Sequence, residues 1–165
     1  MKDKTISVTV SECKYEELSH DDRELVDLAR EMTRTSMAPY SKFHVGAAIR
    51  MANGEIVRGS NQENAAFSSG TCAERTACFQ ASALYPGVAM KQIAIAAWTR
   101  EGHDDEAAWE ECFQAEPISP CGSCRQSLLE YENAYGRIEV ILYGKNRIII
   151  FPSVASLLPF CFTKF

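Results

Sequence analysis

Three cysteines and a glutamate stand in two short clusters whose spacing suits a metal site. The first cluster covers residues 72–75 (Cys-Ala-Glu-Arg) and the second covers residues 120–125 (Pro-Cys-Gly-Ser-Cys-Arg). Cys121 and Cys124 are three residues apart, which places both sulfur atoms on one face of a helix. We predict that they bind one zinc ion per chain together with Cys72, because three protein ligands and one open position are the pattern of a catalytic zinc site.

The two charged residues that follow Cys72 have separate predicted roles. Glu74 could carry a proton to and from a water that zinc has made acidic, which is the work of a general acid/base. Three thiolates leave such a site with a net negative charge and weaken the acidifying effect of the metal. Arg75 would balance this charge by donating hydrogen bonds to the sulfur atoms. The alternatives are an acid that only stabilises the helix dipole and a solvated arginine.

Two other interpretations compete with a catalytic zinc site. In one, the three cysteines are thiols that bind no metal. In the other, a fourth ligand from Cys78, Cys112, Cys161 or a histidine closes a structural zinc site in a non-catalytic binding module. Pro120 before the second pair, together with a Cys-x-Glu pattern at another helix start, favours zinc over metal-free thiols. A structural site would have no use for Glu74 or for an open coordination position.

Both clusters stand where helices are predicted to begin, and the remaining chain supplies a sheet to hold those helices. An earlier helix is predicted to start at Ser19. Strands are predicted in residues 40–49, 55–59, 93–98, 138–143 and 147–151, with a type I′ turn at Asn53-Gly54. Residues 144–146 alone separate the last two strands, so these strands must form an antiparallel hairpin. Helices on both faces of this mixed five-stranded sheet predict the α/β class with a three-layer α/β/α sandwich.

Two segments lie outside this scheme. Residues 1–18 are predicted to form an N-terminal extension to a single domain of residues 19–165. Apolar and polar residues alternate in residues 5–10, which predicts an extra half-buried strand that extends the sheet edge or pairs with another subunit. The acidic residues 101–116 are predicted to form a solvated loop, with a lid or a subunit contact as the alternative.

Composition excludes several classes of protein. The net charge of the 165 residues is −5 and no run of lysine or arginine stands out, so we expect no binding to nucleic acid chains. No apolar run is long enough to span a membrane, and residues 1–4 do not lead into a signal peptide core. The chain is therefore expected to be cytoplasmic, where its seven cysteines would not form a disulfide framework.

Several motifs together resemble those of the cytidine deaminases, in their small homotetrameric branch. The two cysteine clusters are similar to the zinc signature of that family, in which a glutamate that is not a ligand acts as general acid/base. Residues 40–47 resemble its first-strand motif, residues 61–65 its substrate loop and residues 157–162 its C-terminal ending. The resemblance extends from about residue 21 to residue 162 and implies a zinc-dependent enzyme of pyrimidine salvage.

The resemblance also implies which residues contact a pyrimidine nucleoside: Phe43, Asn61, Glu63, Ala65, Phe67, Ala73 and Phe162. Asn61 and Glu63 would bind the sugar hydroxyls, although such residues also commonly cap loop backbone. Phe43, and Phe162 of a neighbouring subunit, would pack on the pyrimidine, with core packing as the alternative. Phe67 stands where the family commonly has tyrosine, which removes a hydroxyl from the predicted sugar contacts.

The reaction that the resemblance implies is hydrolytic deamination of cytidine and 2′-deoxycytidine. Blasticidin S deaminases are similar around both zinc clusters but commonly lack an arginine after the glutamate, so Arg75 favours cytidine. A polynucleotide-editing deaminase is disfavoured by Cys72, where a histidine is usual, and by the acidic composition. The apolar tail of residues 151–165 needs a covering partner, and the homotetramer that the resemblance implies would supply one and build each site from several subunits.

Overall fold

The computed structural model describes residues 1–104 and 106–163. Phe165, which belongs to the predicted tail, and Asp105 of the acidic segment lie outside these residues. The elements in chain order are β1 (Ser11–Cys13), α1 (His20–Met32), β2 (Phe43–Met51), β3 (Ile56–Ser60), α2 (Ala73–Leu84), β4 (Met90–Thr99), α3 (Gly122–Tyr135), β5 (Glu139–Tyr143) and β6 (Ile148–Phe151). The described part of the chain has no helix of the length and apolarity needed to cross a membrane.

The strands form one mixed sheet in the order β1-β6-β5-β4-β2-β3. Strands β4 and β5 are parallel and all other neighbours are antiparallel, including the β5–β6 hairpin. The sheet has six strands and not the five predicted, because the N-terminal extension contributes β1. Successive residues of β4 face opposite sides of the sheet, and Ile93 to Ala97 are buried on both. The α/β class and the mixed sheet are confirmed.

Helices cover both faces of the sheet. Helix α1 packs on the face that carries Ala48 and Ala94. Helices α2 and α3 pack on the opposite face, against Ile49 and Ile93 among others. This arrangement is the predicted three-layer sandwich. It places the N-termini of α2 and α3 on the same side of the sheet.

Two strand glycines allow helices to lie directly on the sheet. A Cβ atom at Gly46 would lie 2.1 Å from the carbonyl oxygen of Ala29 in α1. A Cβ atom at Gly59 would lie 2.5 Å from the backbone nitrogen of Ala77 and 2.8 Å from the carbonyl oxygen of Ala73 in α2. All three distances are too short for any real Cβ atom, so only glycine fits at either position. Gly59 therefore sets the position of the first turn of α2.

The predicted extension of the sheet edge by residues 5–10 is wrong. These residues are exposed and irregular, and the extra strand is β1, which follows them and pairs with β6. In this register Ser11 pairs with Ile150, so Thr9 would lie opposite Pro152 if the pairing continued. Proline has no N–H to donate to a sheet. Strand β6 ends at Phe151, and pairing stops there although the apolar–polar alternation continues further upstream.

The predicted type I′ turn between β2 and β3 is also wrong. Such a turn needs a positive φ at both central residues, and of Asn53 and Gly54 only Gly54 has one, at 88°. The N–H of Gly54 instead donates to the Met51 carbonyl at 3.1 Å, and the Met51 N–H donates to Glu55 at 2.8 Å. The hairpin thus closes with a longer loop in which Gly54 takes the left-handed position.

Among the described residues of the acidic segment, only those before Trp109 form a solvated loop. A 3₁₀ turn at Trp109–Cys112 leads into Phe113, whose side chain is 1% exposed and packs in the core beneath α1. The guanidinium carbon of Arg30 lies 5.7 Å from the ring centre of Trp109 and 5.1 Å from that of Phe113. Hydrophobic and cation–π contacts therefore hold the second half against α1, and the prediction of a loop solvated throughout is wrong.

Candidate metal centre

Three cysteine sulfur atoms meet where helices α2 and α3 begin. Cys72 is the N-cap of α2, Cys121 is the N-cap of α3, and Cys124 lies in the first turn of α3. The Cys72 and Cys121 sulfur atoms are 3.9 Å apart, and those of Cys121 and Cys124 are 3.4 Å apart. Among the described residues, this trio is the one group of histidine, cysteine or acidic side chains close enough to share a metal ion.

The geometry and chemistry of the trio fit zinc. Tetrahedral zinc with Zn–S bonds of about 2.3 Å separates its sulfur ligands by about 3.8 Å. The observed separations are near this value, and all three lie within 4.8 Å. The positive ends of two helix dipoles face the sulfur atoms and favour their thiolate forms. No fourth side chain of the described residues completes the group, so a structural site closed by Cys78, Cys112 or Cys161 has no support.

The thiols of Cys72 and Cys124 differ in acidity. Hydrogen bonding by the Cys124 thiol, then by Cys121 and Arg75, outweighs burial and lowers the pKa of Cys72 to about 5. The pKa of Cys124 is raised, first because its thiol donates to Cys72 and then because it is buried. Arg75 acts on both Cys72 and Cys124 through hydrogen bonding and charge. Its guanidinium therefore lies where a cation can balance thiolate charge.

Glu74 is buried beside the sulfur atoms. Its side chain is on the first turn of α2 and the residue is only 4% exposed. Burial, with a further contribution from the negative charge of Cys72, raises the pKa of this carboxyl group above its ordinary value. A raised pKa lets a carboxyl group take up a proton more readily than an exposed one, as a general acid/base must. Ala73, which separates Glu74 from Cys72, is fully buried.

A cavity of about 500 Å³ opens beside the loop that leads to Cys72. It is lined by Tyr40, Ser41, Glu63, Asn64, Ala65, Phe67 and Gly70, which include three of the seven predicted substrate residues. Backbone hydrogen bonds in both directions between Gln62 and Thr71, at 2.8 and 2.9 Å, tie this loop to the residue before Cys72. The cavity wall and the metal centre are thus held together by backbone hydrogen bonds.

Asn61 and Glu63 hold protein backbone, as the alternative for these residues predicted. The Asn61 side-chain oxygen accepts from the Val45 N–H at 2.8 Å and from the Ser36 hydroxyl at 2.5 Å. Its Nδ2 donates to the Phe43 carbonyl at 2.9 Å. Because an amide oxygen has two lone pairs, only the second Nδ2 hydrogen is left for a ligand. Glu63 accepts from the backbone N–H groups of Tyr40 and Ser41 at 2.9 and 3.2 Å.

The structure does not gather all predicted substrate residues around one cavity. Phe43 begins β2 with a half-buried side chain, and Phe162 lies in the C-terminal tail with 60% of its surface exposed. The backbone of Phe162 is hydrogen-bonded to Gln126 on α3. Arg125 and Gln126 immediately follow Cys124, and neither was assigned a role from the sequence. The one feature of the sequence that could have indicated a role for them is their position directly after Cys124 in a predicted helix.

Comparisons with known proteins agree with this site. A family model described as "Cytidine and deoxycytidylate deaminase zinc-binding region" matches residues 19–138. A "Cytidine deaminase" of Sporosarcina psychrophila is 39% identical over 145 residues, 87% of this chain and 93% of that protein. A "Blasticidin-S deaminase" of Bacillus cereus is 30% identical over 147 residues, 89% of this chain and 96% of that protein. The crystal structure of cytidine deaminase from Burkholderia pseudomallei is 33% identical in sequence and superposes with a TM-score of 0.67. The match covers 88% of this chain and 100% of the chain in that crystal structure.

Proposed function

Because the chain belongs to the cytidine and deoxycytidylate deaminase family, we propose that it hydrolyses the exocyclic amino group of cytidine and 2′-deoxycytidine to give uridine, 2′-deoxyuridine and ammonia. One observation carries the proposal: a buried carboxyl group, Glu74, directly beside three convergent sulfur atoms that leave one metal position open. A metal centre of this kind serves chemistry, whereas a structural one uses all four positions.

Zinc bound by Cys72, Cys121 and Cys124 would lower the pKa of a coordinated water to about 7 and so supply a nucleophile at neutral pH. Glu74 accepts the proton of the attacking water and delivers it to N3 of the pyrimidine, which makes C4 electrophilic. The C4–O bond then forms. Glu74 next takes the second proton of the water from the new C4 hydroxyl group and carries it to the amino group. The C4–N bond breaks, ammonia leaves, and the C4 carbonyl of the product forms. A raised pKa suits Glu74 to both transfers because its carboxyl group must gain and lose a proton in each turnover.

Arg75 and the two helix N-termini keep the thiolate charge from opposing this chemistry. Three thiolates give a zinc centre a net negative charge, which would weaken its pull on a bound water. Arg75 withdraws part of that charge by acting on Cys72 and Cys124. On the substrate side, the cavity beside Glu63, Ala65 and Phe67 supports sugar binding there. Phe43, Asn61, Ala73 and Phe162 remain proposed substrate contacts.

A second candidate is deamination of blasticidin S, since the relative of that name covers nearly the whole chain at 30% identity. Arg75 favours the nucleoside, as does the higher identity to a cytidine deaminase, 39%. A comparison of cytidine, 2′-deoxycytidine, cytosine and blasticidin S in an ultraviolet assay of the purified zinc-loaded protein separates these candidates. We expect turnover of both nucleosides. Turnover of blasticidin S alone would overturn the assignment.

The role of Glu74 has a direct test. Glu74→Gln keeps the shape of the side chain but cannot exchange a proton, so deamination should fall by about 10²- to 10⁴-fold while the zinc content stays at one per chain. Cys121→Ala is the matched control, because it should lose the metal itself. Zinc content is measured by elemental analysis and activity by absorbance. Deamination by Glu74→Gln at the wild-type rate would exclude Glu74 as the proton carrier.

The assembly is proposed to be a cytoplasmic homotetramer with composite sites. Large apolar side chains stand exposed in the two regions that the sequence assigns to substrate: Tyr40 and Phe67 at the cavity, and Phe160 and Phe162 in the tail. Apolar surface of this extent supports burial against further copies of the chain. Light scattering coupled to gel filtration measures the mass directly, and a monomer that is fully active would exclude composite sites.

A further inference from the structure

Arg125 joins two segments that are remote in sequence. Its Nε donates to the carbonyl oxygen of Pro120 at 2.7 Å, and a terminal guanidinium nitrogen donates to the carbonyl oxygen of Leu157 at 2.9 Å. Pro120 directly precedes the ligand Cys121, and Arg125 itself directly follows the ligand Cys124. One planar side chain thus ties both ends of the metal-binding turn to the C-terminal tail.

Gln126 makes a second connection to the same tail. Its Nε2 donates to the Phe162 carbonyl oxygen at 2.7 Å, and its Oε1 accepts from the Phe162 N–H at 3.4 Å. The side-chain amide therefore pairs with both backbone groups of one residue. This pairing fixes the position of the Phe162 backbone and does not involve its side chain.

The part of the tail that carries the Leu157 carbonyl is itself held by α3. A 3₁₀ turn at Val154–Leu157 packs on α3, and Leu157 is only 7% exposed. Glu132, also on α3, accepts the N–H groups of Val154 and Ala155 at 2.8 and 3.0 Å. The Leu157 carbonyl that Arg125 contacts is thereby held in place from the same helix.

We propose that Arg125 and Gln126 form a tail clamp, a pair of positioning residues through which the C-terminal tail holds the metal-binding turn while the turn in return holds Phe162. Arg125 fixes the backbone next to Cys121 and Cys124 and so slows the release of zinc. Gln126 fixes the backbone of Phe162, and through it the pyrimidine contact of the proposed function. The clamp thus acts on metal retention through one residue and on substrate binding through the next.

The metal half of the proposal is tested without any assay of deamination. Zinc-loaded protein is mixed with a chromophoric chelator, and the rate of zinc transfer is compared between wild type, Arg125→Lys and Ser127→Ala. Lysine keeps the charge but cannot donate along two fixed directions, so release should be about 10- to 100-fold faster. Ser127→Ala removes one hydrogen bond within α3, to the Ser123 carbonyl, and should release zinc at the wild-type rate.

Retention of the fold is checked by circular dichroism of both variants. If Arg125→Lys fails to fold, Arg125→Gln takes its place, because glutamine also lacks a guanidinium that can donate to Pro120 and Leu157 together, and it should also speed release above the wild-type rate. Zinc release at the wild-type rate from the folded variant tested would overturn the metal half of the clamp.

The substrate half rests on the proposed function and is tested by a double-mutant cycle of Gln126→Ala and Phe162→Ala. If Gln126 acts through Phe162, each single variant should raise the KM for cytidine, and the double variant should be no worse than Phe162→Ala. Additive losses would refute this half. An absence of deamination in the wild type would refute the proposed function, yet zinc release would still test the metal half.

Discussion

Replacement of Gly59 by alanine should weaken zinc binding although Gly59 touches no ligand. The new methyl group would lie 2.5 Å from the backbone nitrogen of Ala77 and 2.8 Å from the carbonyl oxygen of Ala73. Neither atom belongs to a flexible side chain that could turn away. The first turns of α2, which begin immediately after Cys72, must therefore move off the sheet.

The size of the effect follows from these distances. An ordinary contact begins at 3.4 Å, so α2 has to shift by about 0.9 Å relative to the 2.5 Å contact. Metal–ligand distances tolerate only about 0.2 Å of error. Binding zinc must then pull Cys72 back against the overpacking, which typically costs about 1–3 kcal/mol. If this whole cost is subtracted from the free energy of zinc binding, the zinc affinity falls by about 5- to 150-fold.

Zinc affinity is measured by competition with a chelator, and stability by urea unfolding of the metal-free protein. Gly122→Ala is the matched control, because it alters a glycine between two metal ligands whose added Cβ would meet nothing within 4 Å. Gly59→Ala should bind zinc more weakly than both the wild type and this control. Equal affinity and equal stability for the two variants would refute the argument that Gly59 sets the position of Cys72.

Two further predictions concern the elements around the site. Glu132→Ala removes the carboxylate that accepts from the backbone N–H groups of Ile138, Val154 and Ala155. The free energy of unfolding in urea should therefore fall by at least about 3 kcal/mol, and by less for Glu132→Gln. A change below about 1 kcal/mol would contradict this account. Trp109→Ala should destabilise by less than about 3 kcal/mol, because the ring is only half-buried, and should speed amide hydrogen exchange in residues 109–116 selectively. Unchanged exchange there would mean that the segment is a solvated loop after all.

The convergence of the three cysteines was predictable because their geometry is largely local. A spacing of three residues at a helix start fixes the relation between Cys121 and Cys124, and a helix that begins at Cys72 favours a thiolate there. The strands that bring the two helices together were equally visible, since residues 93–98 of β4 are an uninterrupted apolar run and the β5–β6 connection is too short for a parallel pair.

Long-range contacts explain where the predictions failed. The extra strand was predicted at residues 5–10 because apolar and polar residues alternate there. Pairing in a sheet also depends on the neighbouring strand, and Pro152 ends the pairing of the N-terminal extension with β6. The insert was predicted to be solvated because its acids dominate its composition, yet Arg30, about eighty residues earlier, gives Trp109 and Phe113 a surface to cover. Neither partner is near its segment in sequence.

The amino-acid sequence by itself determined the chemistry of the metal centre: three thiolates, a carboxyl group and a guanidinium in two helix starts. Only the tertiary structure decided what surrounds them. It showed that Asn61 holds the backbone of Val45 and Phe43. It also showed that Arg125 and Gln126 hold the C-terminal tail. The physical reason is that residue type and short spacing fix donors, ligands and helix ends, whereas a hydrogen-bond partner sixteen to thirty-six residues away is chosen by the packing of the whole chain.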